Sequence, residues 1–390
     1  MPTRNRVIYQ SEAIFASSTG VSTLTAASHG VRRVQSCNYN LAIQRQDINQ
    51  FGELAAIDRL ILQEPTVGVD LTYYFEPTGF NERHLGLHTN TYSLGAATGD
   101  STVADHALVD IISGVGTFDQ RNIFILTSAP GIDANDTGLS AMALQDASNF
   151  SSSYDGIIGI GNAFLTSWSL EASVGSIPTV SCAFEGQNIV FTGDLSTSLT
   201  PTGAPNPAIV DGNDPGSTVS IPSGAGLFDS ALEIAAVRPG DVTLSLGSSG
   251  TDNKPMVGLT ESDLKIQSAT VAMSVNREPL RKLGKLFAFA REITFPVNCT
   301  MTVNAIVGVS SSKKLFSLLS VNGDAPKFNC VLTLNGYLSG SATPKTAAIS
   351  LKGAKLNSQN ITSSIGPGKA VNLEFSAQIG RNSGLHIYVG

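Results

Sequence analysis

The sequence lacks most of the features that mark membrane proteins, secreted disulfide scaffolds and nucleic-acid-binding proteins. It has four cysteines in 390 residues and no CxxC spacing, so we interpret the cysteines as small buried side chains in a reducing cytoplasm. No run of about 18 apolar residues predicts a membrane span, and no apolar segment follows the charged start, so no secretory signal is expected. The net charge of −7 argues against tight nucleic-acid binding, which needs clustered Lys and Arg.

Motifs for catalysis and ligand binding are also scarce. His84 and His88 stand four residues apart, but Gly86 between them weakens the helix that a shared zinc ligand face would need. The glycines of 156–161 lack the Lys-Ser/Thr of a phosphate-binding loop, and we interpret them as turn formers. Residues 133–138 resemble a calcium loop without its closing Glu, which favours a plain Asp/Asn turn. We therefore predict no enzymatic activity, no catalytic residue, no cofactor and no metal.

What the sequence does contain is an internal repeat. Residues 34–59 match residues 266–291 at an offset of 266 − 34 = 232, with 7 identities in 26 ungapped positions. A second match, at an offset of 356 − 165 = 191, joins 165–187 to 356–378. Two blocks in the same order in each half indicate a tandem duplication. The two offsets differ by 232 − 191 = 41 residues, so the first copy is expected to carry an insertion of about that size.

The two halves differ in charge. Residues 1–192 contain 8 Arg, no Lys and 18 acidic residues, so their net charge is 8 − 18 = −10. The remaining residues contain 16 basic and 13 acidic side chains, so their net charge is 16 − 13 = +3. Two interpretations remain open: unrelated drift of two solvated surfaces, or head-to-tail contact between unlike halves of neighbouring chains.

Strand patterns dominate the chain. Alternating apolar positions run through 37–43 and 299–307, and 164–174 and 179–186 are separated by a short turn, which predicts a β-hairpin. Low charge and abundant Gly, Ser, Thr and Asn are typical of strands and turns. We predict a mostly β protein with two tandem β-sandwich or barrel domains, each with a short helix.

The domain boundaries follow from the repeat and from a proline-rich stretch. We predict a first domain at 1–192 with a long inserted loop region at about 76–162, a Pro/Gly/Ser-rich linker at 193–226, and a second domain at 227–390. Short helices are possible at 103–112, 139–147 and 313–319.

Two arginines recur at equivalent positions of the two copies, Arg45 with Arg277 and Arg59 with Arg291. One interpretation is an Arg that pairs with a carboxylate while its stem packs along a sheet. The other places the four at contacts between domains or between subunits. Both stay open on the sequence alone.

Several of these segments resemble the major tail (tail tube) proteins of tailed bacteriophages. The resemblance rests on Arg33–Asn40 with Arg45–Gly52, on Leu165–Gly186 and on Arg277–Val297. It covers most of the chain except 76–162 and the linker. The length of the 76–162 region and the lack of a further C-terminal domain depart from the pattern.

The resemblance implies a structural virion protein that forms stacked rings of β-domains, a tube through which DNA is ejected. It implies two tail-tube-like domains per chain, a homotrimer that imitates a hexameric ring, and assembly in the bacterial host cytoplasm with the virion tail as location. The implied partners are further copies of the chain, the tape measure, terminator and baseplate proteins, and double-stranded DNA in transient, non-specific passage, with no membrane. A lumen of carboxylates or Ser and Thr would not hold DNA.

Two other classes stay as alternatives: a baseplate or capsid-associated phage protein, and a carbohydrate-binding or carbohydrate-processing β-protein. The second is disfavoured because a single Trp and 8 scattered Tyr give no evident stacking platform. From its length and irregularity we also expect the 76–135 region to reach the next ring or another partner.

Overall fold

A computed structural model describes residues 12–61, 64–87, 120–128, 154–193, 204–210, 216–220, 237–248, 264–307, 327–337, 344–362, 370–380 and 383–389. Structural statements below concern these residues. The helices are α1 (Ala26–His29), α2 (Phe80–His84) and a 3-10 turn at Pro239–Asp241. The strands of the first copy are β1 (Glu12–Ser18), β2 (Gly30–Val31), β3 (Val34–Ala42), β4 (Arg45–Ile48), β5 (Asp58–Ile61), β6 (Thr66–Tyr74), β7 (Arg121–Ser128), β8 (Tyr154–Ser173), β9 (Thr179–Gly186) and β10 (Asn188–Gly193).

Two short strands follow, β11 (Ala204–Pro205) and β12 (Thr218–Val219). The strands of the second copy are β13 (Val242–Ser248), β14 (Leu264–Ser274), β15 (Arg277–Leu280), β16 (Ala290–Ile293), β17 (Asn298–Val307), β18 (Phe328–Tyr337), β19 (Pro344–Thr362), β20 (Ala370–Gln378) and β21 (Gly384–Val389). The predicted mostly β class is confirmed, and so is the hairpin of β8 and β9. The helices predicted at 103–112, 139–147 and 313–319 lie outside the described residues.

The two copies share the register of their strand pairs. β3 pairs with β6 so that Val34 faces Tyr73, and β14 pairs with β17 so that Ile266 faces Ala305, both displaced by 232. The pairs β6·β9 and β17·β20, and β8·β9 and β19·β20, correspond in the same way. Since a slip of one residue would turn every side chain to the opposite face, this agreement shows that the same layer is built twice.

Irregular positions recur as well. The register shifts once after Val34 in the first copy and once after Ile266 in the second, and again after Leu165 and Leu356. Bulges bend a strand and are specific local features. Their coincidence in both copies is a stronger sign of duplication than the sequence identities.

Each copy is a two-layer sandwich in which one long strand serves both layers. β8 and β19 pair with β7 and β18 through their first halves and with β9 and β20 through their second halves. Between the halves stand Asn162 (φ 50°) and Gly353 (φ 65°), which occupy equivalent positions. A left-handed residue here turns the strand from one layer into the other. Side chains of both layers meet in one continuous apolar core.

The length difference between the copies is divided between two places. Arg121 of β7 and Phe328 of β18 stand at equivalent register positions, at an offset of 328 − 121 = 207. The first copy is therefore longer by 232 − 207 = 25 residues between β6 and β7, and by 207 − 191 = 16 residues between β7 and β8. The expectation of one insertion is corrected to two, because β7 and the start of β8, within 76–162, belong to the repeated core. Most of the 76–135 region lies outside the described residues.

Parts of the predicted linker pack against the first copy. Ala208 and Ile209 are buried, and the Ile209 amide donates to Asn162 Oδ1 at 2.5 Å. Gly159 and Gly161 of β8 leave the room for Pro207, whose carbonyl would collide with any Cβ at Gly161. The turn predicted at 156–161 is therefore wrong: these glycines lie in a strand, where they permit close approach of another segment. The domain boundaries themselves stay a prediction.

Candidate interaction surfaces

The two copies join edge to edge into one antiparallel layer. β8 of the first copy pairs with β14 of the second, from Ser173 opposite Ser268 to Ser167 opposite Ser274. The strand order in this layer is β3-β6-β9-β8-β14-β17-β20-β19. We call the β8·β14 contact the internal junction.

The internal junction is closed by apolar side chains. Leu170 faces Val271 and Trp168 faces Met273, and each of the four is at most 3% exposed. Full burial of side chains of this size contributes about 1.5–3 kcal/mol each. The junction is therefore part of the hydrophobic core.

The layer ends in two edges that are equivalent to the two strands of the internal junction. β3, the counterpart of β14, pairs only with β6 among the described strands. The second half of β19, Lys355–Thr362, is the counterpart of the paired half of β8 and pairs only with β20 there. We call β3 the first edge and Lys355–Thr362 the second edge. Unpaired edges of this kind expose backbone donors and acceptors to other strands.

Side chains that are buried at the internal junction have exposed counterparts at the edges. Tyr39 and Leu41 are 41% and 43% exposed, whereas their counterparts Val271 and Met273 are 0% and 3% exposed. On the second edge, Ile361 is 44% exposed and stands where the first copy has the fully buried Leu170. The edges thus keep apolar side chains that the described residues of a single chain leave nearly half exposed.

A hairpin arm leaves each copy after its first layer strand. β4 and β5 form the first arm (45–61), and β15 and β16 form the second arm (277–293). Both turn at a glycine of positive φ, Gly52 (93°) and Gly284 (82°). Their tips expose apolar side chains, Phe51 and Leu54 in the first arm and Leu283 in the second.

The second arm is anchored on the first copy by a buried ionic cluster. Arg291 Nη2 lies 3.0 Å from Glu64 Oε1, with 5% and 2% of the two side chains exposed. Arg291 Nη1 contacts Glu185 at 2.5 Å, and the Ala288 amide donates to Glu64 Oε2 at 2.7 Å. The guanidinium groups of Arg277 and Arg291 lie 4.9 and 5.6 Å from the centre of the Phe164 ring. A buried charge is tolerated only when it is paired, and here both Nη atoms of Arg291 have a carboxylate partner.

The four arginines singled out in the sequence therefore fall into two pairs. Arg277 and Arg291 make contacts between the copies. Arg59 instead pairs with Asp47 of its own arm at 2.9 Å, with 66% and 47% of the side chains exposed. Arg45 lies in the exposed strand β4. No motif in the sequence indicated Glu64 and Glu185 as the partners of Arg291.

One face of the eight-stranded layer is lined by hydroxyl and amide groups. Asn304 bonds to Ser268 at 3.0 Å and to Asn372 at 2.8 Å across three strands. Further Ser and Thr side chains share this face in register. Its carboxylates are Asp70, Glu171 and Glu374, with Glu185 at the arm. Its lysines are Lys265, near the start of β14, and Lys355, within β19.

The first copy also holds a buried carboxyl group that contacts none of these surfaces. Glu82 of α2 accepts a hydrogen bond from the Tyr73 hydroxyl at 2.9 Å. Burial is the main cause that raises the pKa of Glu82 to about 7. Nearby, Asn81 holds the Arg32 backbone through two hydrogen bonds of 2.8 Å.

The ligand motifs considered in the sequence do not form a site in the described part of the chain. His84 is buried with Nδ1 2.6 Å from the Gly30 carbonyl oxygen, and burial lowers its pKa to about 4. His88 and residues 133–138 lie outside the described residues. Where the chain is described, no three His, Cys, Asp or Glu side chains cluster as metal ligands. All four cysteines are free. Cys182, Cys299 and Cys330 are buried as predicted, whereas Cys37 is only partly buried.

Comparison with known proteins adds no assignment. The sequence matches no protein-family model, and no curated protein matches it. Within the described residues, no helix is long and apolar enough to cross a membrane.

Proposed function

We propose that the chain is a structural protein that assembles with itself into rings, and that stacked rings form a tube of the phage tail type. One observation carries the proposal: the open edges of the layer are the counterparts of two strands that pair inside each chain. A layer that can pair with itself in this way either closes into a ring or grows as an open filament. In both arrangements the free edges of each chain disappear.

The internal junction supplies the register for the contact between chains. Each residue pair of the internal junction can be shifted to the edges, by subtracting 232 from the β14 residue and adding 191 to the β8 residue. The shifted pairs put Tyr39 of one chain opposite Ile361 of the next, Asn40 opposite Asn360, and Leu41 opposite Gln359. Tyr39, Leu41 and Ile361 would then lose their water contact, as Val271, Met273 and Leu170 have done. The unlike edges make the contact head-to-tail.

Three chains give a ring of suitable width. Each contributes eight strands to the layer, so three contribute 3 × 8 = 24 strands. With strands about 4.8 Å apart and tilted by roughly 40°, the backbone walls stand about 50 Å apart. This leaves space for a DNA duplex after side chains are added.

The polar face suits the inner wall of such a tube. Ser, Thr and Asn side chains with a few carboxylates offer phosphate groups little attraction, whereas a row of Lys and Arg would hold them. DNA could then slide past without stopping. The opposite face is occupied by the apolar core, so only the polar face is available to line a passage.

Cysteine pairs test the register directly. Asn40→Cys with Asn360→Cys should join neighbouring chains through disulfides in oxidising buffer, because opposite residues in antiparallel strands fit disulfide geometry. Asn40→Cys with Thr362→Cys, two residues out of register, is the matched control. Native mass measurement should show trimers. Equal cross-linking of both pairs, or a monomer at all concentrations, would contradict the proposal.

Electron microscopy of the purified protein tests the tube. Hollow rods are expected. The proposal places the protein in the virion tail, with tape measure, terminator and baseplate proteins as further partners. Discrete particles or binding to capsids would instead favour a baseplate or capsid-associated protein.

A further inference from the structure

The two arms are equivalent in position but differ in what they contact. The second arm crosses the internal junction and rests on Glu64, Glu185 and Phe164 of the first copy. The first arm belongs to β3, which lies at an open edge, so within one chain no neighbouring copy lies beyond it. Its tip residues Phe51 and Leu54 are fully exposed.

We infer that the first arm latches onto the second copy of a neighbouring chain, across the contact between the two edges. The inference rests on the proposed function, because it requires the first edge of one chain to pair with the second edge of another. The docking position follows from the repeat offsets. Glu64 corresponds to Pro296, Glu185 to Ser376, and Phe164 to Lys355.

The first arm and its docking position carry charges of the opposite sign to those of the second arm and its docking position. The second arm carries five basic and two acidic residues, a net charge of 5 − 2 = +3, and it meets two carboxylates. The first arm carries two basic and three acidic residues, a net charge of 2 − 3 = −1. At its docking position both carboxylates are replaced by neutral residues, and Lys355 stands in place of Phe164. Complementary potential thus matches each arm to its own partner.

One pair of side chains accounts for most of this exchange. In the second arm Pro279 lies opposite Arg291, and the Arg291 guanidinium is 5.6 Å from the Phe164 ring centre. In the first arm Asp47 takes the place of Pro279. The offset also carries Arg59 to the place of Arg291, so Arg59 and its partner Asp47 arrive together at Lys355 of the next chain. Asp47 then supplies the carboxylate that Pro296 and Ser376 lack. The nearest other carboxylate on that face, Glu374, accepts a hydrogen bond from Ser358 at 3.0 Å.

The same exchange prevents wrong contacts. A second arm placed on a second copy would bring Arg277 and Arg291 against Lys355 without Glu64 or Glu185 nearby. A first arm placed on a first copy would put Arg59 in the place of Arg291, but it would also add the carboxylate of Asp47 beside Glu64 and Glu185. Like charges at a contact disfavour it. The latch therefore selects the alternation of first and second copies around a ring.

A charge swap in the full-length chain tests the latch. Asp47→Lys should raise the dissociation constant of the assembly at least about tenfold, because it leaves Arg59, Lys355 and the new lysine together without the carboxylate of Asp47. Asp47→Lys combined with Lys355→Glu should return to within about threefold of the wild type. Glu53→Lys, which makes the same charge change at the arm tip, is the matched control. Sedimentation velocity over a concentration series gives the constants.

The outcomes separate the latch from the ring itself. Asp47→Lys behaving like Glu53→Lys, or the double variant assembling no better than Asp47→Lys, would overturn the latch. Recovery in the double variant cannot come from repair of the arm, because Lys355 lies on the other chain. If the disulfide of the Asn40→Cys, Asn360→Cys variant forms while Asp47→Lys assembles normally, the latch alone fails. If that disulfide does not form and the wild type does not assemble, the proposed function fails as well.

Discussion

The internal junction and the open edges are the same structural element in two situations. At the junction, Leu170, Val271 and Met273 are buried and Arg291 is held by two carboxylates. At the edges, Ile361, Tyr39 and Leu41 are half exposed. One chain therefore displays both the closed form of a contact and the two surfaces that would make it again. In the proposed assembly, the stability of the chain and the contact between chains would depend on equivalent residues in different copies.

The largest expected effect comes from lysine at two equivalent positions, one in the internal junction and one at the second edge. The first substitution should affect the stability of the chain, and the second should affect its assembly. Leu170→Lys buries an unpaired ammonium group in the junction and should cost about 4 kcal/mol or more of unfolding free energy. Ile361→Lys should change that free energy by less than about 1 kcal/mol, since the site is open to water in a single chain. It should nevertheless prevent assembly.

Urea denaturation and sedimentation velocity measure the two effects. Leu170→Gln serves as a milder control at the same position. The contrast between the internal junction and the second edge would be contradicted if Ile361→Lys assembled as well as the wild type, or if this substitution unfolded the chain.

The buried ionic cluster should give the second largest effect. Arg291→Met leaves Glu64 buried without its cationic partner and should lower the unfolding free energy by about 3–5 kcal/mol. Arg291→Met combined with Glu64→Gln should recover much of this loss, because neither member of the buried pair is then charged. Denaturation of the wild type, the two single variants and the double variant forms a double-mutant cycle. A single variant as stable as the wild type would show that the second arm is not anchored by this cluster.

Glu82 should make the stability of the first copy depend on pH. Burial raises its pKa in the folded protein to about 7, above the ordinary glutamate value of 4.5. Its stabilising contribution is therefore fully present below pH 4.5 and is lost as pH rises through 7. The loss amounts to about 3 kcal/mol, from 1.36 kcal/mol per pKa unit.

Glu82→Gln keeps the acceptor for Tyr73 but removes the titration. The difference in unfolding free energy between the wild type and this variant should shift by that amount between pH 4.5 and 8. Taking the difference cancels the opposing effect of His84, whose lowered pKa contributes equally to both proteins. A constant difference across this range would contradict the assignment. Hydrogen exchange should locate the effect in the first copy.

The sequence predicted the features that are determined by short-range residue patterns. Alternating apolar residues and a short turn at 175–178 were enough for the β8–β9 hairpin, and the two offsets were enough for the repeat. Register followed from the repeat because burial of one face permits only one alignment of each strand.

The rest depended on contacts that local pattern does not encode. Arg291 and Glu64 are 227 residues apart in the chain, so no short motif connects them. The glycines of 156–161 were misassigned because glycine marks turns and close approaches alike, and only Pro207 in space decides between the two. The two insertions were merged into one because β7 and β18 share a register but few residue identities.

The smallest expected effect is at Arg59, the counterpart of Arg291. Arg59→Met should change the unfolding free energy by less than about 1 kcal/mol, because its pair with Asp47 is exposed and water replaces the lost contact. The measurement belongs in an Ile361→Lys background, where assembly does not add to stability. Added salt should reduce this small difference further, because salt screens an exposed pair, whereas a buried pair such as Arg291–Glu64 is screened much less. If Arg59→Met instead destabilised the single chain as strongly as Arg291→Met, the first arm would already be anchored within its own chain. The contrast between a closed junction and an open edge would then not hold.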